Sequence, residues 1–225
     1  MSHRLDIIDL SCARADRPLF AGLDASLGAG ELLHIVGSNG SGKTTLLRTL
    51  CGLSRPAAGE IRWGGTPIRN LGDEYRQDLA YLGHQDGVQG ELTPAENLRA
   101  LACVANRIGG AGVVSGALAR MGLAAHLSFP AKILSQGQRR RLALARLLVL
   151  EKPLWILDEP FTALDARSCR LMTELLSEQL ARGGIVLLSS HQDFDMPGAA
   201  LKRIDLDAIR SRSTSAHHAR PAAAA

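Results

Sequence analysis

The chain has 225 residues, of which 46% are hydrophobic and 21% charged, and its formal net charge is +4. This composition is ordinary for a globular protein and excludes wholesale disorder, and the length is sufficient for one large domain with its own core. No run approaches the roughly 18 consecutive apolar residues of a membrane-spanning helix, and residues 1–6 carry no apolar segment of signal-peptide type. We therefore expect a protein that is not exported and does not span a membrane by itself.

Cysteine spacing and charge distribution exclude several further classes of protein. Cys12, Cys51, Cys103 and Cys169 are far apart, which argues against a zinc ribbon, a redox pair and a disulfide framework. The chain also lacks the C-x-x-C-H motif that attaches c-type haem. The tight basic cluster is confined to Arg139–Arg141 and aromatic residues make up only 4%, so we do not expect a nucleic-acid partner.

The first third of the chain contains short stretches with the apolar pattern of β-strands and one helix after a glycine-rich turn. The helix is predicted at Lys43–Leu50 and ends before Gly52, because glycine is common just beyond a helix. The predicted strands are, in chain order, Leu5–Leu10, Phe20–Leu27, Glu31–Val36, Glu60–Trp63 and Leu79–Leu82.

The middle of the chain, at about residues 86–133, is predicted to be mainly helical. Thr93 and Glu96 flank Pro94 in the pattern of a capping box, which predicts a helix from there to about Val104. A second helix is predicted at Val113–Met121.

In the last third, short all-apolar strands alternate with helices, which indicates a parallel sheet covered on both faces. Residues 207–225 show no apolar periodicity, and we expect them to form a disordered tail. The predicted elements are helix Gln136–Leu150, strand Leu154–Leu157, helix Ala166–Ala181 and strand Ile185–Ser189.

The segment between the third strand and the first helix matches the phosphate-binding pattern G-x-x-x-x-G-K-[ST]. Glycines let backbone N–H groups wrap around phosphates, and the following helix N-terminus adds positive potential. Lys43 would contact the β- and γ-phosphates and the Thr44 hydroxyl would ligate Mg²⁺. The alternative is a glycine-rich turn without a ligand, against which the strand–loop–helix context argues. The candidate nucleotide-binding residues are Gly37, Ser38, Asn39, Gly40, Ser41, Gly42, Lys43, Thr44 and Thr45.

A second candidate half-site lies at the end of the apolar strand Leu154–Leu157, where Asp158 and Glu159 follow. Asp158 is suited to hold Mg²⁺ through water, and Glu159 to polarise an attacking water. By itself this pattern also fits an ordinary boundary between a strand and a turn. None of the asparagines is followed by lysine, so the guanine-reading N-K-x-D motif is absent and adenine is the expected base.

Together these segments resemble the ATP-binding-cassette (ABC) ATPases, and the resemblance extends over nearly the whole chain to about Leu206. Leu134–Gln138 resembles the family's signature and Thr162–Asp165 its D-loop. Gln85 resembles the Q-loop glutamine and His191 the switch histidine, although singly they fit a loop amide and a strand-end histidine. Six elements occur in the family's order and at the family's spacing, which makes the combination specific.

This resemblance implies an α/β fold of the P-loop NTPase type for an ATPase domain of residues 1–206. Its parts are a RecA-like parallel-sheet core, an antiparallel β subdomain and a helical subdomain at about residues 86–133. The implied cofactors are ATP and Mg²⁺. The implied metal-site residues are Thr44, Asp158 and Gln85, and the implied catalytic residues are Glu159, His191 and Gln85.

The resemblance also implies a homodimer of cassettes in which two ATP molecules lie between the subunits. The Ser135 hydroxyl and the N-terminus of the helix Gln136–Leu150 form an anion-binding end that cannot easily reach the phosphate loop of its own chain. In this family that end caps the γ-phosphate held by the partner cassette. The implied nucleotide-contacting residues here are Ser135, Gly137, Gln138 and Asp165.

Two features depart from the family's pattern. Gln136 stands where the family usually has glycine, which brings a side chain close to the nucleotide of the partner subunit. The aromatic residue that stacks on adenine is not evident, since Ser11–Ala15 occupies its region and Phe20 is expected in the core. Arg14 is a candidate to stack on adenine instead.

Several segments resemble, within this family, the ATPase subunits of cytochrome c maturation systems of CcmA type. That resemblance implies a peripheral protein on the cytoplasmic face of the inner membrane, with an integral membrane subunit of CcmB type and haem-handling proteins as partners. The implied work is haem delivery or release of the haem-loaded chaperone. We expect the partner to dock between the Gln85 loop and the helix that begins after Thr93. The segments are Tyr81–Gln85, Glu91–Leu98, Asp158–Asp165 and Ser190–Asp193.

Three other functions compete with this interpretation. The first is an ATPase subunit of another ABC exporter or importer, with a different cargo. The second is a non-transport cassette that acts on DNA or ribosomes, although such proteins usually carry tandem cassettes or long coiled-coil insertions that are absent here. The third is a cassette that binds ATP without hydrolysis, against which the presence of Lys43, Asp158, Glu159 and His191 argues.

Overall fold

Two β-sheets and a group of helices make up the protein in a computed structural model that describes residues 3–15, 17–105, 111–191, 196 and 199–211. The strands are β1 (Leu5–Arg14), β2 (Arg17–Leu27), β3 (Glu31–Val36), β4 (Ala58–Trp63), β5 (Thr66–Pro67), β6 (Leu79–Leu82), β7 (Leu154–Asp158), β8 (Ile185–Ser189) and β9 (Ala200–Asp205). The helices are α1 (Lys43–Leu50), α2 (Ile68–Leu71), α3 (Asp73–Gln77), α4 (Pro94–Val104), α5 (Ala111–Arg120), α6 (Gln136–Leu150) and α7 (Ala166–Ala181), with 3₁₀ turns at Ala124–His126 and Ala131–Ile133.

The smaller sheet is antiparallel and has the strand order β2-β1-β4-β5. Its long strand β1 pairs with β2 on one side and with β4 on the other, so that Leu5 lies opposite both Leu27 and Trp63. An irregularity in β1 brings its backbone close to Gly59, where an added Cβ would lie 2.2 Å from the Asp9 carbonyl oxygen. This overlap excludes any residue with a side chain at position 59. The φ of +80° there is a second reason, since it is unfavourable for residues other than glycine.

The larger sheet is parallel and has the strand order β6-β7-β8-β3-β9. Because the carboxyl ends of parallel strands meet at one edge, the segments that follow β3, β6, β7 and β8 come together there. This edge carries the candidate site. The expected architecture, a parallel core with an antiparallel subdomain and a helical subdomain, is confirmed.

Side chains on the two faces of the parallel sheet belong to two different cores. Residues alternate along each strand, as the two-residue period of a strand requires. In β7, Trp155 and Leu157 pack with α4, α5, α6 and α7, whereas Leu154 and Ile156 pack with α1 and the antiparallel sheet. Burial on both faces explains why β7 and β8 are apolar up to their last residues, Asp158 and Ser189.

The C-terminal part of the described chain differs from the sequence-based expectation. Strand β9 was not predicted, because it pairs with β3 at the sheet edge and leaves most of its side chains exposed, so its sequence has no apolar alternation. The expected disordered tail is wrong at its beginning, since residues 206–211 are helical and the buried Leu206 anchors them. The remainder of that predicted tail, residues 212–225, lies outside the described residues.

Over the described residues, no helix combines the length and apolarity that crossing a lipid bilayer requires.

Candidate active site

A cleft of about 460 Å³ opens at the carboxyl edge of the parallel sheet. It is bounded by the glycine-rich loop after β3, by the ends of β7 and β8, and by Arg14 and Leu19 of the antiparallel sheet. The phosphate-loop residues that line it are Asn39, Gly40, Gly42, Lys43, Thr44 and Thr45.

The glycine-rich loop closes around the Lys43 ammonium, which donates hydrogen bonds to the carbonyl oxygens of Gly37 at 2.7 Å and Ser38 at 3.2 Å. Lys43 is only 8% exposed. A side chain at Gly37 would place its Cβ 2.5 Å from the Ser41 hydroxyl oxygen, which lies buried beneath the loop. The loop therefore presents its backbone and one buried positive charge to the cleft, which suits a bound polyphosphate.

Thr44 and Asp158 form the contact that joins the two predicted half-sites. The Thr44 hydroxyl donates to Asp158 Oδ2 at 2.8 Å, and the other carboxylate oxygen accepts a hydrogen bond from the Ser189 hydroxyl at 2.6 Å. Adjacent oxygens in an octahedral Mg²⁺ shell lie about 3 Å apart, since each Mg–O distance is about 2.1 Å. The pair therefore fits a Mg²⁺ ion that the Thr44 hydroxyl would bind directly and that Asp158 would hold directly or, as the sequence predicts, through water.

The remaining ligands of such an ion would come from outside the protein. Among the described residues, no group of three or more His, Cys, Asp or Glu side chains could hold a metal ion. Magnesium is commonly held by one or two protein oxygens together with phosphate oxygens and water. The donor set thus fits a magnesium–nucleotide complex better than a resident metal ion.

Glu159 follows Asp158 in a left-handed backbone conformation, with φ of +51°. Such a conformation is unusual for a residue with a side chain and is held here by hydrogen bonds on both sides of the residue. Its backbone N–H donates to the Ser189 hydroxyl oxygen at 3.0 Å, and its carbonyl oxygen accepts from Thr162 N at 3.2 Å. The His191 Nε2 atom lies 3.2 Å from Glu159 Oε1, and both residues line the cleft.

Gln85, predicted to act in catalysis and at the metal, is exposed and is absent from the lining of the cleft. Its neighbour His84 lines the cleft instead. The structure therefore brings the loop after β6 to the site but does not bring the Gln85 side chain into it. The role of Gln85 stays a prediction.

The residues expected to contact the nucleotide of a partner subunit lie outside the cleft of their own chain. Ser135 caps α6 in a reciprocal capping box with Gln138: the Gln138 N–H donates to Ser135 Oγ at 3.3 Å, and Ser135 N–H donates to Gln138 Oε1 at 2.8 Å. Gly137 lies in the first turn of the same helix. Asp165 caps α7 by accepting from Ser168 N at 2.7 Å, and hydrogen bonds from Ser168 hold its pKa below the usual range.

Two sequence-based predictions concern the part of the cleft expected to face adenine. Arg14, the candidate to stack on adenine, lines the cleft together with Leu19. Phe20 is 1% exposed and belongs to the core, which confirms the expectation for that residue.

Besides the cleft-lining Leu19 and His84, sequence reasoning missed three residues that hold the candidate site residues in place. Ser189 holds both Asp158 and Glu159, and its position at the end of an apolar strand was an available signal. Arg140 reaches the backbone of the same two acids from α6. Asp207, in the segment expected to be disordered, accepts from the Ser38 N–H at 2.6 Å and the Ser38 hydroxyl at 2.8 Å. No local pattern marks the last two.

Comparison with known proteins agrees with the sequence motifs and with the geometry of the cleft. The sequence pattern of the family described as "ABC transporter" matches residues 20–162. The chain is 49% identical over 206 residues to the cytochrome c biogenesis ATP-binding export protein CcmA of Nitrosospira multiformis, covering 90% of this chain and 98% of the relative. It is 45% identical over 207 residues to the protein of the same name from Escherichia coli K12, covering 92% and 98% of the two chains.

A solved structure agrees on the fold. A putative ABC transporter ATP-binding protein from Pyrococcus furiosus superimposes with a TM-score of 0.81 at 27% identity, covering 92% of this chain and 99% of that one.

Proposed function

The chain belongs to the ABC transporter family, and from that membership we propose that it is the ATP-hydrolysing subunit of a transport complex of CcmAB type. Its cleft binds ATP with Mg²⁺, and hydrolysis drives the opening and closing of a pair of cassettes. The observation that carries the proposal is the meeting of Lys43, the Thr44–Asp158 pair and the Glu159–His191 pair in one cleft.

Binding of the triphosphate is the task of the glycine-rich loop and α1. The Lys43 ammonium exchanges its hydrogen bonds to the Gly37 and Ser38 carbonyls for phosphate oxygens, and the backbone N–H groups at the start of α1 face the same anion. Thr44 and Asp158, which lie in contact at 2.8 Å, are the residues that would hold the Mg²⁺ accompanying the nucleotide. When bound, the metal neutralises charge that develops on the phosphate oxygens.

Hydrolysis depends on the position of Glu159. Its carboxylate accepts a hydrogen bond from the attacking water and aligns that water with the γ-phosphate. His191, which lies 3.2 Å from that carboxylate, donates to a γ-phosphate oxygen and keeps the base oriented. Ser189 fixes both Asp158 and the Glu159 backbone, so the metal ligand and the base stay in register.

A second copy of the chain completes the site. Ser135 and the N-terminus of α6 are exposed and lie outside the cleft, so they are available to the γ-phosphate held by another subunit. Two such contacts related by a twofold axis hold a dimer while ATP is present, and loss of the γ-phosphate releases it.

The transport process in which this ATPase subunit acts is cytochrome c biogenesis. Relatives named as cytochrome c biogenesis export proteins match the chain over about nine-tenths of its length and nearly all of theirs, which supports a shared role. The protein then works at the cytoplasmic face of the inner membrane with an integral subunit of CcmB type, beside haem-handling proteins of the same complex. Its ATP turnover supports haem delivery or release of the haem-loaded chaperone.

The membrane partner docks in a groove of about 220 Å³ on the helical region, which we call the α4 groove. It is lined on one side by the loop after β6 and on the other by α4, with Val104 86% exposed at its rim. The lining residues are Gly87, Val88, Gln89, Leu92, Asn97, Leu98, Ala100, Leu101, Val104, Leu142 and Arg146.

A single substitution tests both the chemistry and the process. Glu159→Gln keeps the shape of the side chain but removes the base, so we expect ATP turnover to fall at least about 100-fold while ATP binding is retained. Turnover is measured by phosphate release and binding by fluorescence titration with a labelled ATP. In a strain that lacks this gene, the unmodified protein should restore c-type cytochromes detected by haem staining, and Glu159→Gln should not.

Two results would overturn the proposal. Undiminished turnover in Glu159→Gln would remove the assigned base. Normal haem staining in the deletion strain would reject the role in cytochrome c biogenesis and favour another ABC transport system.

A further inference from the structure

Arg140 is a buried charged residue whose guanidinium bridges two separate segments at the edge of the cleft. It lies in the second turn of α6 and is 4% exposed. One terminal nitrogen donates to the Gly83 carbonyl at 3.2 Å and to the Asp86 carboxylate at 3.1 Å, in the loop after β6. The other donates to the carbonyl oxygens of Asp158 at 3.2 Å and Glu159 at 2.7 Å, at the end of β7.

We propose that Arg140 is a positioning residue that couples the loop after β6 to the Glu159 carboxylate. It acts through the backbone. Gly83 and Asp86 of the loop bind one terminal nitrogen of the guanidinium, and the other terminal nitrogen binds the Glu159 carbonyl oxygen. This inference rests on the proposed function, because it assigns a purpose to the position of the proposed base.

The sheet topology places the two segments that Arg140 bridges next to each other. Strands β6 and β7 are parallel neighbours with Leu82 opposite Leu157, so the segments that follow them begin side by side. The planar guanidinium directs N–H groups to both segments at once, which a lysine ammonium on a single atom cannot do with the same geometry.

The Glu159 backbone needs such a support. Its φ of +51° is a sparsely populated conformation that persists only where surrounding contacts hold it. The 2.7 Å hydrogen bond from Arg140 is the shortest of those that fix its main chain. Without it, the carboxylate direction is less restricted, and a misplaced base lowers the rate of the chemical step rather than nucleotide affinity.

The same loop lines the α4 groove, so Arg140 connects the proposed docking site to Glu159. Arg146, two turns further along α6, donates to the Asp86 carbonyl at 3.2 Å and lines that groove with Gly87. A partner seated there touches the loop that Arg140 connects to Glu159. The route does not require the Gln85 side chain, which is exposed outside the cleft.

The stability of the fold does not explain why position 140 is an arginine. Its carboxylate partner Asp86 is 26% exposed and can be solvated without it, and the buried Arg140 Nε–H has no hydrogen-bond partner within the described part of the chain. Replacing a buried ion by an apolar side chain of similar length is tolerated where it does not leave the partner as a buried, uncompensated charge, and the Asp86 carboxylate is open to solvent. Arg140→Met is therefore expected to fold and to bind ATP.

The test is steady-state ATP hydrolysis by the full-length protein carrying Arg140→Met or Arg140→Lys. We expect kcat to fall about 10-fold or more in both, equal to about 1.4 kcal/mol of barrier, with KM for ATP within about twofold of the unmodified protein. The matched control is Arg139→Met, since Arg139 lies on the same helix but donates to the Ala131 carbonyl at 3.2 Å, on the side of the helical region. It should keep kcat within about twofold.

Asp86→Ala provides a second, milder variant that leaves the Arg140–Glu159 contact intact but removes one anchor of the loop. A several-fold loss of kcat at unchanged KM is expected, and the double variant Arg140→Met/Asp86→Ala should be no slower than Arg140→Met alone.

The outcomes separate this proposal from the proposed function. If Glu159→Gln abolishes turnover while Arg140→Met and Asp86→Ala keep kcat, the proposed function stands and the positioning role is overturned. If Arg140→Met loses ATP binding or thermal stability together with kcat, its role is structural and the proposal is likewise overturned. If Glu159→Gln turns over normally, the proposed base itself is wrong.

Discussion

At the scale of single residues, Ser189 and Asp207 lie outside the predicted motifs but hold groups to which the proposed function assigns a role. Ser189 accepts from the Glu159 N–H and donates to Asp158, so one hydroxyl sets the position of both acids. Asp207 holds Ser38 of the phosphate loop with both carboxylate oxygens. Such contacts restrict the loop and the acids before nucleotide arrives, which lowers the ordering needed on binding.

Asp207→Asn tests the contact with the phosphate loop through its pH dependence. The hydrogen bond from the Ser38 N–H is the main cause that holds the pKa of Asp207 below its ordinary value of 3.8. The stability that this contributes is therefore present above about pH 5 and is lost as pH falls through the folded-state pKa. At pH 7 we expect Asp207→Asn to lower the free energy of unfolding by up to about 1 kcal/mol, because the contact is close to solvent.

Urea unfolding at several pH values measures this effect. The difference between Asp207→Asn and the unmodified protein should shrink as the pH falls below about 4, because the Asp207 carboxyl of the unfolded chain then binds a proton before that of the folded protein does. Asp73→Asn is the control, since Asp73 pairs with Arg76 on the exposed side of α3, far along the chain from the phosphate loop. A difference that is constant from pH 7 to pH 3.5, or that grows at low pH, would contradict the assignment.

At the scale of elements, α4 and α6 both begin with a reciprocal capping box, which fixes where each helix starts. Thr93 and Glu96 cap α4, and Ser135 and Gln138 cap α6. A fixed start determines which residues each helix turns outward. In α4 it leaves Val104 86% exposed at the rim of the α4 groove.

Val104→Asp tests the α4 groove as the docking site of the membrane subunit. A charge at the rim opposes burial against an apolar partner segment, so we expect co-sedimentation with membranes that contain the partner to fall at least about 10-fold. ATP hydrolysis in solution should stay within about twofold, since Val104 is remote from the cleft. Val113→Asp, on the exposed face of α5 and outside the groove, is the matched control. Equal membrane association of the two variants would reject the docking site.

At the scale of the whole molecule, five parallel strands gather the phosphate loop, both acids and His191 at one sheet edge. The helical region carries the Ser135 end on a separate surface of the same chain. The proposed function treats these two surfaces as complementary half-sites, which a twofold pairing of two chains would bring together.

Ser135→Arg tests this pairing. In the Glu159→Gln background, ATP is retained, and we expect the protein to elute as a dimer in size-exclusion chromatography with light scattering. Adding Ser135→Arg places a bulky cation at the capping end and should reduce the dimer fraction at least about 10-fold, with ATP binding by the monomer unchanged. Ser115→Arg, on the exposed surface of α5, should leave the dimer intact. A dimer that survives Ser135→Arg would contradict the shared site.

Much of the fold followed from local sequence patterns. The bounds of β3, α1, β6, α6, α7 and β8 were predicted as observed, because each has an apolar period or a cap that acts within the element. Strand β9 was missed since its partner β3 lies far away in the chain and its side chains face solvent. The acids Asp158 and Glu159 were identified from their place at a strand end, whereas Arg140 and Asp207 were not, because their partners are distant in sequence.

The sequence by itself determined the candidate nucleotide-binding residues, since the patterns of the glycine-rich loop, its lysine and the acids after β7 each depend only on local backbone shape. The tertiary structure decided which of them meet: it joined Thr44 to Asp158 at 2.8 Å, left Gln85 outside the cleft and linked Arg140 to the Glu159 carbonyl. The physical reason is the distance along the chain over which each kind of interaction acts. Backbone propensities and caps act over a few residues, whereas parallel strand pairing and helix packing bring together groups that are 19 residues apart for Arg140 and Glu159 and 114 residues apart for Thr44 and Asp158.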